Sequence, residues 1–123
     1  MAKSPDKPSQ FKRSPCPVAS TLDIIGDKWT LLVVRDLFAG KKTYSEFQAS
    51  PEKIPTNILA ERLKRLAEHG ILEKRPYQEH PVRYEYCLTA KGRDLGLVLK
   101  ALVNWGEKHL PGTKARMAPQ VNS

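Results

Sequence analysis

Apolar residues recur at helical spacing from about residue 16 to Gly70, then at alternating spacing, then at helical spacing again. CPVASTLDIIG predicts a first short helix, with Pro17 suited to its first position and Gly26 to its stop. Asp27 is placed to cap a second helix, DKWTLLVVRDLFAG, in which Trp29, Leu32, Val33 and Leu37 share a face and Gly40 ends the run. KKTYSEF puts Thr43 and Glu46 at capping-box spacing, so a third short helix is expected from Thr43. QASPEKIP carries two prolines and cannot continue it. The fourth helix, IPTNILAERLKRLAEHG, ends at Gly70.

Beyond Gly70 the period becomes two. ILEKRPY and VRYEYCL read as strands around a QEHP loop, with Val82, Tyr84, Tyr86 and Leu88 on one side of the second and Arg83, Glu85 and Cys87 on the other. Thr89 then caps one long final helix, TAKGRDLGLVLKALVNWGEKHL, which stops before Pro111. The fold class is therefore mainly α with a small β-hairpin: a winged helix-turn-helix with terminal dimerisation helices. Residues 1–14 are expected to be a disordered basic tail, 15–110 the folded domain, and 111–123 a flexible tail.

The fourth helix shows what the fold is for. With Leu59 facing inward, Leu63, Leu66 and Gly70 follow on the same side. Asn57, Glu61, Lys64 and Glu68 point the opposite way, flanked by Ala60 and Arg65. Thr56 and Asn57 at the tip are short polar groups suited to base edges in a major groove, and Ala60 permits close approach. Lys64 and Arg65 lie where an inserted helix meets phosphates. The plainer reading is a solvated face in which Glu61 pairs with Lys64 or Arg65. Context favours DNA: a short helix carrying Ser45 precedes, and a hairpin follows with Arg75 and Arg83 on either side of its tip.

The last helix carries more apolar surface than one domain needs. Val98, Leu99, Leu102 and Val103 cluster around Leu95, and Leu97, Ala101 and Trp105 widen the arc. The first helix adds Val18, Leu22 and Ile25. Either it covers the excess within one protomer, or both terminal helices pack across a two-fold axis; the second is expected.

Composition adjusts this picture modestly. The 123 residues suit one domain, and the net charge of +8 favours a polyanionic partner. Much of that charge sits near the ends, on Lys3, Lys7, Lys12, Arg13, Lys114 and Arg116, where solubility explains it as well as DNA does. No apolar run approaches the roughly 18 residues of a membrane span, and the N-terminus has no apolar core of a secretory signal. Two cysteines make no disulfide framework, so a cytoplasmic protein is expected. His69, His80 and His109 are scattered, His69 sits at a helix end where a cation suits the dipole, and Asp36 and Glu46 read as caps and surface charges. No cofactor, no metal and no enzyme activity is expected. A winged-helix protein-interaction module without DNA binding is the alternative, against which Lys64, Arg65, Arg75 and Arg83 weigh.

Taken together, CPV, IIGDKWTLLVVRDLFAG, SEF, ILAERLKRLAEHGILEKR, PVRYEYCLTAKG and LVNWGEKH run in order over about residues 16–109 and resemble the HxlR-type family of bacterial winged-helix transcriptional regulators. The resemblance implies a homodimer on an inverted-repeat, double-stranded DNA operator, with no membrane partner. The chain departs from the family's pattern at Pro55, where Ser is common, at Asn57, where Lys is common, and at Gly96, where many members carry Pro. Some members sense oxidants or electrophiles with a Cys at the position of Cys16, so the resemblance admits an oxidant or small-molecule effector. Cys16 stands at the start of the first helix, where the dipole favours a thiolate. A small residue packed beneath the dimer helices is the inert alternative, and Cys87 reads as a small strand hydrophobe.

Overall fold

In the computed structural model, which describes residues 13–115, eight short elements follow the predicted order. They are α1 (Pro17–Ile25), α2 (Thr30–Phe38), α3 (Tyr44–Gln48), α4 (Thr56–Glu68), β1 (Leu72–Glu79), β2 (Val82–Leu88), α5 (Ala90–Arg93) and α6 (Gly96–His109). Of the tails expected at 1–14 and 111–123, residues 1–12 and 116–123 lie outside the described residues.

Helix ends follow local chemistry. Asp27 accepts the backbone N–H groups of Trp29 and Thr30 at 3.0 and 3.2 Å, but α2 begins later than the sequence placed it, at Thr30 with Trp29 as its N-cap, because residues 27–29 form a turn ahead of the helix. Thr43 and Glu46 form the expected capping box on α3. Both α2 and α4 stop in Schellman motifs. Gly40 and Gly70 take φ of +96° and +75°, and the next residues, Lys41 and Ile71, donate back to Asp36 O and Leu66 O at 3.0 and 2.9 Å.

The core gathers Val33, Val34, Leu37, Phe38, Phe47, Leu59, Leu63, Leu66, Ile71, Leu72, Tyr86 and Leu99. Each fully buried leucine here contributes about 1.5–3 kcal/mol of transfer free energy. The inward face of α2 centres on Thr30, Val33, Val34, Leu37 and Phe38, whereas Trp29 and Leu32 are only half-buried. The face is rotated from the predicted one because α4 and β2 both pack on α2 and together need a broader buried arc.

The hairpin is antiparallel, with Arg75 opposite Glu85 and a bulge between Pro76 and Gln78. Its turn is tighter than QEHP, at His80–Pro81, and that peptide bond is cis. Only the root of the hairpin is buried: Tyr86 packs there, while Val82 and Tyr84 nearer the tip are exposed. The Tyr86 ring lies 6.3 Å from both Tyr44 and Phe47, and its N–H donates to Lys42 O at 2.9 Å, so the wing is anchored on α3 and the loop before it.

The single long final helix is not found. It breaks at Asp94 and Leu95 into α5 and α6. Two glycines bracket the break at points of close approach: a Cβ on Gly92 would stand 2.1 Å from Ile71 O, and one on Gly96 would stand 3.2 Å from the Phe38 ring. Thr89 caps α5 through Gly92 N–H at 3.1 Å and donates its hydroxyl to Gly70 O at 2.5 Å, tying this corner to the end of α4.

Candidate nucleic-acid interface

The inward leucines of α4 fix which residues it presents outward. Leu59, Leu63 and Leu66 are buried, which leaves Thr56, Asn57, Ala60, Glu61 and Lys64 exposed on the other side. Ser45 on α3 is exposed as well. The start of α4 is held from α3 by the Gln48 side-chain amide, which donates to Thr56 Oγ1 at 3.0 Å. Gln48 was not singled out in the sequence, since nothing in its spacing marks a contact across a broken linker.

Arg65 differs from its predicted role. Its guanidinium is partly buried and donates to Asp27 at 2.9 Å and to Thr30 Oγ1 at 3.0 Å, so it braces α4 against α2 instead of facing outward. Arg62 does the same, donating to Asp27 at 2.8 Å, and also pairs with Glu61. Glu61 therefore pairs with its neighbour Arg62, not with Lys64 or Arg65. Burial alone would raise the Asp27 carboxyl, but the bonds from Thr30, Arg62 and Trp29 N–H hold it well below the usual carboxylate range.

On the hairpin, Arg75 and Arg83 are exposed and share a face. Arg75 lies 3.8 Å from Glu73 and beside Cys87, so its charge is partly engaged. Arg83 and Lys64 form no ion pair among the described residues. Lys74 sits 4.3 Å over the Tyr84 ring on the opposite face.

The apolar residues assigned to dimerisation divide in two. Val18, Leu22, Leu97, Ala101 and Trp105 are exposed, with Leu97 at 76% and Trp105 at 60%. Ile25 is not among them: at 5% exposure it is a core residue of the protomer, turned inward at the last turn of α1. Between α2 and α6 runs a groove of about 660 Å³, lined by Leu31, Leu102, Val103 and Leu110. Asp36 at its side is not a surface charge. It is 5% exposed and accepts from Ser50 at 2.6 Å and Arg35 at 2.9 Å, while Arg35 also clasps Glu52 at 2.8 and 2.9 Å. The Arg35 bond brings Glu52 down to about 2, against the opposing effect of burial.

Cys16 is the N-cap of α1 and is exposed, with its N–H donating to Ser14 Oγ at 3.1 Å. Arg13 pairs with Asp23 at 2.9 Å. Cys87 is half-buried. His69 caps the end of α4, but burial, followed by Lys91 and Arg65, pushes its pKa down. The cation at that helix end is instead Lys91, whose Nζ donates to His69 O at 2.7 Å.

An anchored helix with a polar outer face, preceded by a short helix and followed by a hairpin, defines a winged helix-turn-helix protein. The profile of the HxlR-like helix-turn-helix family matches residues 24–114, and the chain belongs to that family. It is 38% identical over 94 residues to an uncharacterised HTH-type transcriptional regulator of Mycobacterium tuberculosis, spanning 76% of this chain and 59% of that one, so it covers about three-fifths of the mycobacterial relative's length. Among solved structures it is similar to PA1607, a candidate transcription factor, at 44% identity and a TM-score of 0.75 over 86% of this chain and 75% of that one. It is also similar to the redox regulator HypR in its reduced form, at 33% identity and a TM-score of 0.72 over 78% of this chain and 95% of that one.

Proposed function

We propose that the chain is a DNA-binding transcriptional regulator, not an enzyme, that acts as a homodimer on an inverted-repeat operator. One observation carries this reading: α4 is anchored at both ends, yet Asn57, Ala60 and Lys64 on its outer face make no contact that the fold needs. Thr56 and Asn57 read bases, and Lys64 and Arg83 meet phosphates. The exposed apolar residues of α1 and α6 support pairing of two copies, which sets two reading helices roughly one DNA turn apart. Regulators named in the comparisons support the assignment.

No helix among the described residues is long and apolar enough to cross a membrane, which accords with a cytoplasmic site of action. Thiol responsiveness belongs to the same proposal. It is supported by the exposure of Cys16 at the cap of a helix on the dimer face, and by the similarity to a regulator named for redox control. The groove beside α6 is of a size that suits a small effector.

The test is selection of bound sequences from a random DNA pool with the full chain, followed by salt titration on the selected and on random duplexes. A palindromic consensus is the expected result. Binding without sequence preference, or none, would overturn the reading in favour of a protein-interaction module.

A further inference from the structure

Asp27 collects more donors than a helix cap requires. Its two carboxylate oxygens accept from Trp29 N–H, Thr30 N–H, the Thr30 hydroxyl at 2.5 Å, Arg62 Nε at 2.8 Å and Arg65 Nη2 at 2.9 Å. The first three come from the start of α2. The last two come from successive turns of α4, 35 and 38 residues away. Thr30 is fully buried and also accepts from Arg65 at 3.0 Å, while the charged side chains of Asp27, Arg62 and Arg65 are half-buried, so these charge-assisted bonds are partly shielded from water. Among the described residues Arg65 Nε is buried with no protein acceptor, so Asp27 and Thr30 take the bonds that this guanidinium makes.

The cluster extends to the outer face. Arg62 bridges Asp27 on the inside to Glu61 on the exposed side of α4. Residues 62 and 65 are one turn apart, so a single carboxylate gripping both restrains further the rotation that the buried Leu59, Leu63 and Leu66 give α4. That rotation decides which side chains point outward. The grip also withdraws two permanent cations from phosphate and keeps Glu61 beside Arg62. Asp27 follows directly on Gly26, the end of α1, where a Cβ would stand 2.3 Å from Leu22 O. The carboxylate thus stands between the helix of the expected dimer face and the helix of the expected reading face.

We propose that Asp27 is a positioning residue for DNA recognition: by clamping Arg62 and Arg65 it pins the roll that the buried leucines give α4 and holds two cations away from the DNA phosphates, so that binding depends on base contacts. This rests on the DNA-binding reading above. Removing the clamp frees both guanidiniums for phosphates. Affinity for random DNA then rises at low salt, the salt dependence steepens, and discrimination falls.

The experiment compares full-length wild type, Asp27→Asn, Arg62→Gln and Arg65→Gln on the selected operator and on random duplex, across a salt series, with thermal unfolding in parallel. For Asp27→Asn the salt slope is expected to steepen by about one to two units, as for one or two added phosphate contacts. Operator-over-random discrimination is expected to fall about tenfold or more. Arg62→Gln is expected to lose discrimination without steepening the slope, because the freed cation is gone. If Asp27→Asn only lowers the melting temperature and leaves both slope and discrimination unchanged, Asp27 is merely a helix cap and the proposal is overturned. Should Asp27→Asn not fold, unchanged discrimination in both arginine variants overturns it equally. A wild type that discriminates no sequence would instead overturn the DNA-binding reading itself.

Discussion

The Gln48 side chain donates to the Thr56 hydroxyl at 3.0 Å, joining the last residue of α3 to the first of α4. The contact spans a linker that contains Pro51 and Pro55 and, at Lys53, a non-glycine residue with φ of +59°. Among the described residues the Thr56 O–H has no acceptor, so in the proposed DNA complex that residue would meet a base or phosphate as a donor.

Breaking that contact is expected to loosen the tip of α4 while leaving the core in place. Gln48→Ala should weaken operator binding by about 0.5–1.5 kcal/mol, the net worth of one hydrogen bond. Fluorescence anisotropy with the selected duplex measures it, and an unchanged affinity would show that the tip is ordered without Gln48.

Reading and phosphate contacts separate by their salt behaviour. Asn57→Ala is expected to lose about 1–3 kcal/mol on the operator alone. Arg83→Ala should weaken all duplexes alike and flatten the salt slope by about one unit. Equal loss on operator and random DNA for Asn57→Ala would remove it from the reading set.

Trp105 is 60% exposed, with its ring tilted at 44° to that of His109 and 4.9 Å from it between centroids. Trp105→Glu should place a charge in the contact between copies and shift the protein to monomer at micromolar concentration. Light scattering reads the mass directly. A wild type that is already monomeric would end the dimer proposal.

Cys16 is exposed at a helix cap on the face assigned to dimerisation. Mild oxidant or a quinone is expected to change operator affinity in wild type and not in Cys16→Ser. An equal response in both proteins would assign Cys16 a structural role.

Acid stability follows from Glu52. Its folded pKa is about 2 against an ordinary 4.5, so the unfolded chain takes up the proton more readily. Its stabilising contribution is whole above about pH 4.5 and is lost as pH falls towards 2. Urea unfolding at stepped pH should show this loss, and Glu52→Gln should flatten it. An unchanged acid limb would mean that the Arg35 pair contributes little in solution.

Much of the architecture was legible because short-range chemistry dictates it. Thr43 with Glu46, Gly40 and Gly70 mark helix ends within one turn of themselves. The three leucines of α4 fixed its inward face, and with it the exposure of Thr56, Asn57, Ala60 and Lys64. Less legible was the final helix, because its break depends on what lies beneath Gly92 and Gly96, namely Ile71 O and the Phe38 ring. Ile25 could not be separated from Val18 and Leu22 by spacing alone, since a helical stripe does not tell which of its residues meet the protomer's own core.

The sequence by itself determined the order of elements, the Thr43 and Thr89 caps and the outward set on α4, because each depends on bonds or periodicity within a few residues. Only the tertiary structure decided the fate of the charges. Arg62 and Arg65 look like surface cations in a basic helix, yet Asp27 binds both from 35 and 38 residues away. Asp36 looks like a surface acid, yet Ser50 and Arg35 hold it in the interior. A charged side chain reaches far enough to choose among many partners, and burial strengthens whichever one the packing brings close. That choice depends on how the helices pack in space, which no local pattern specifies.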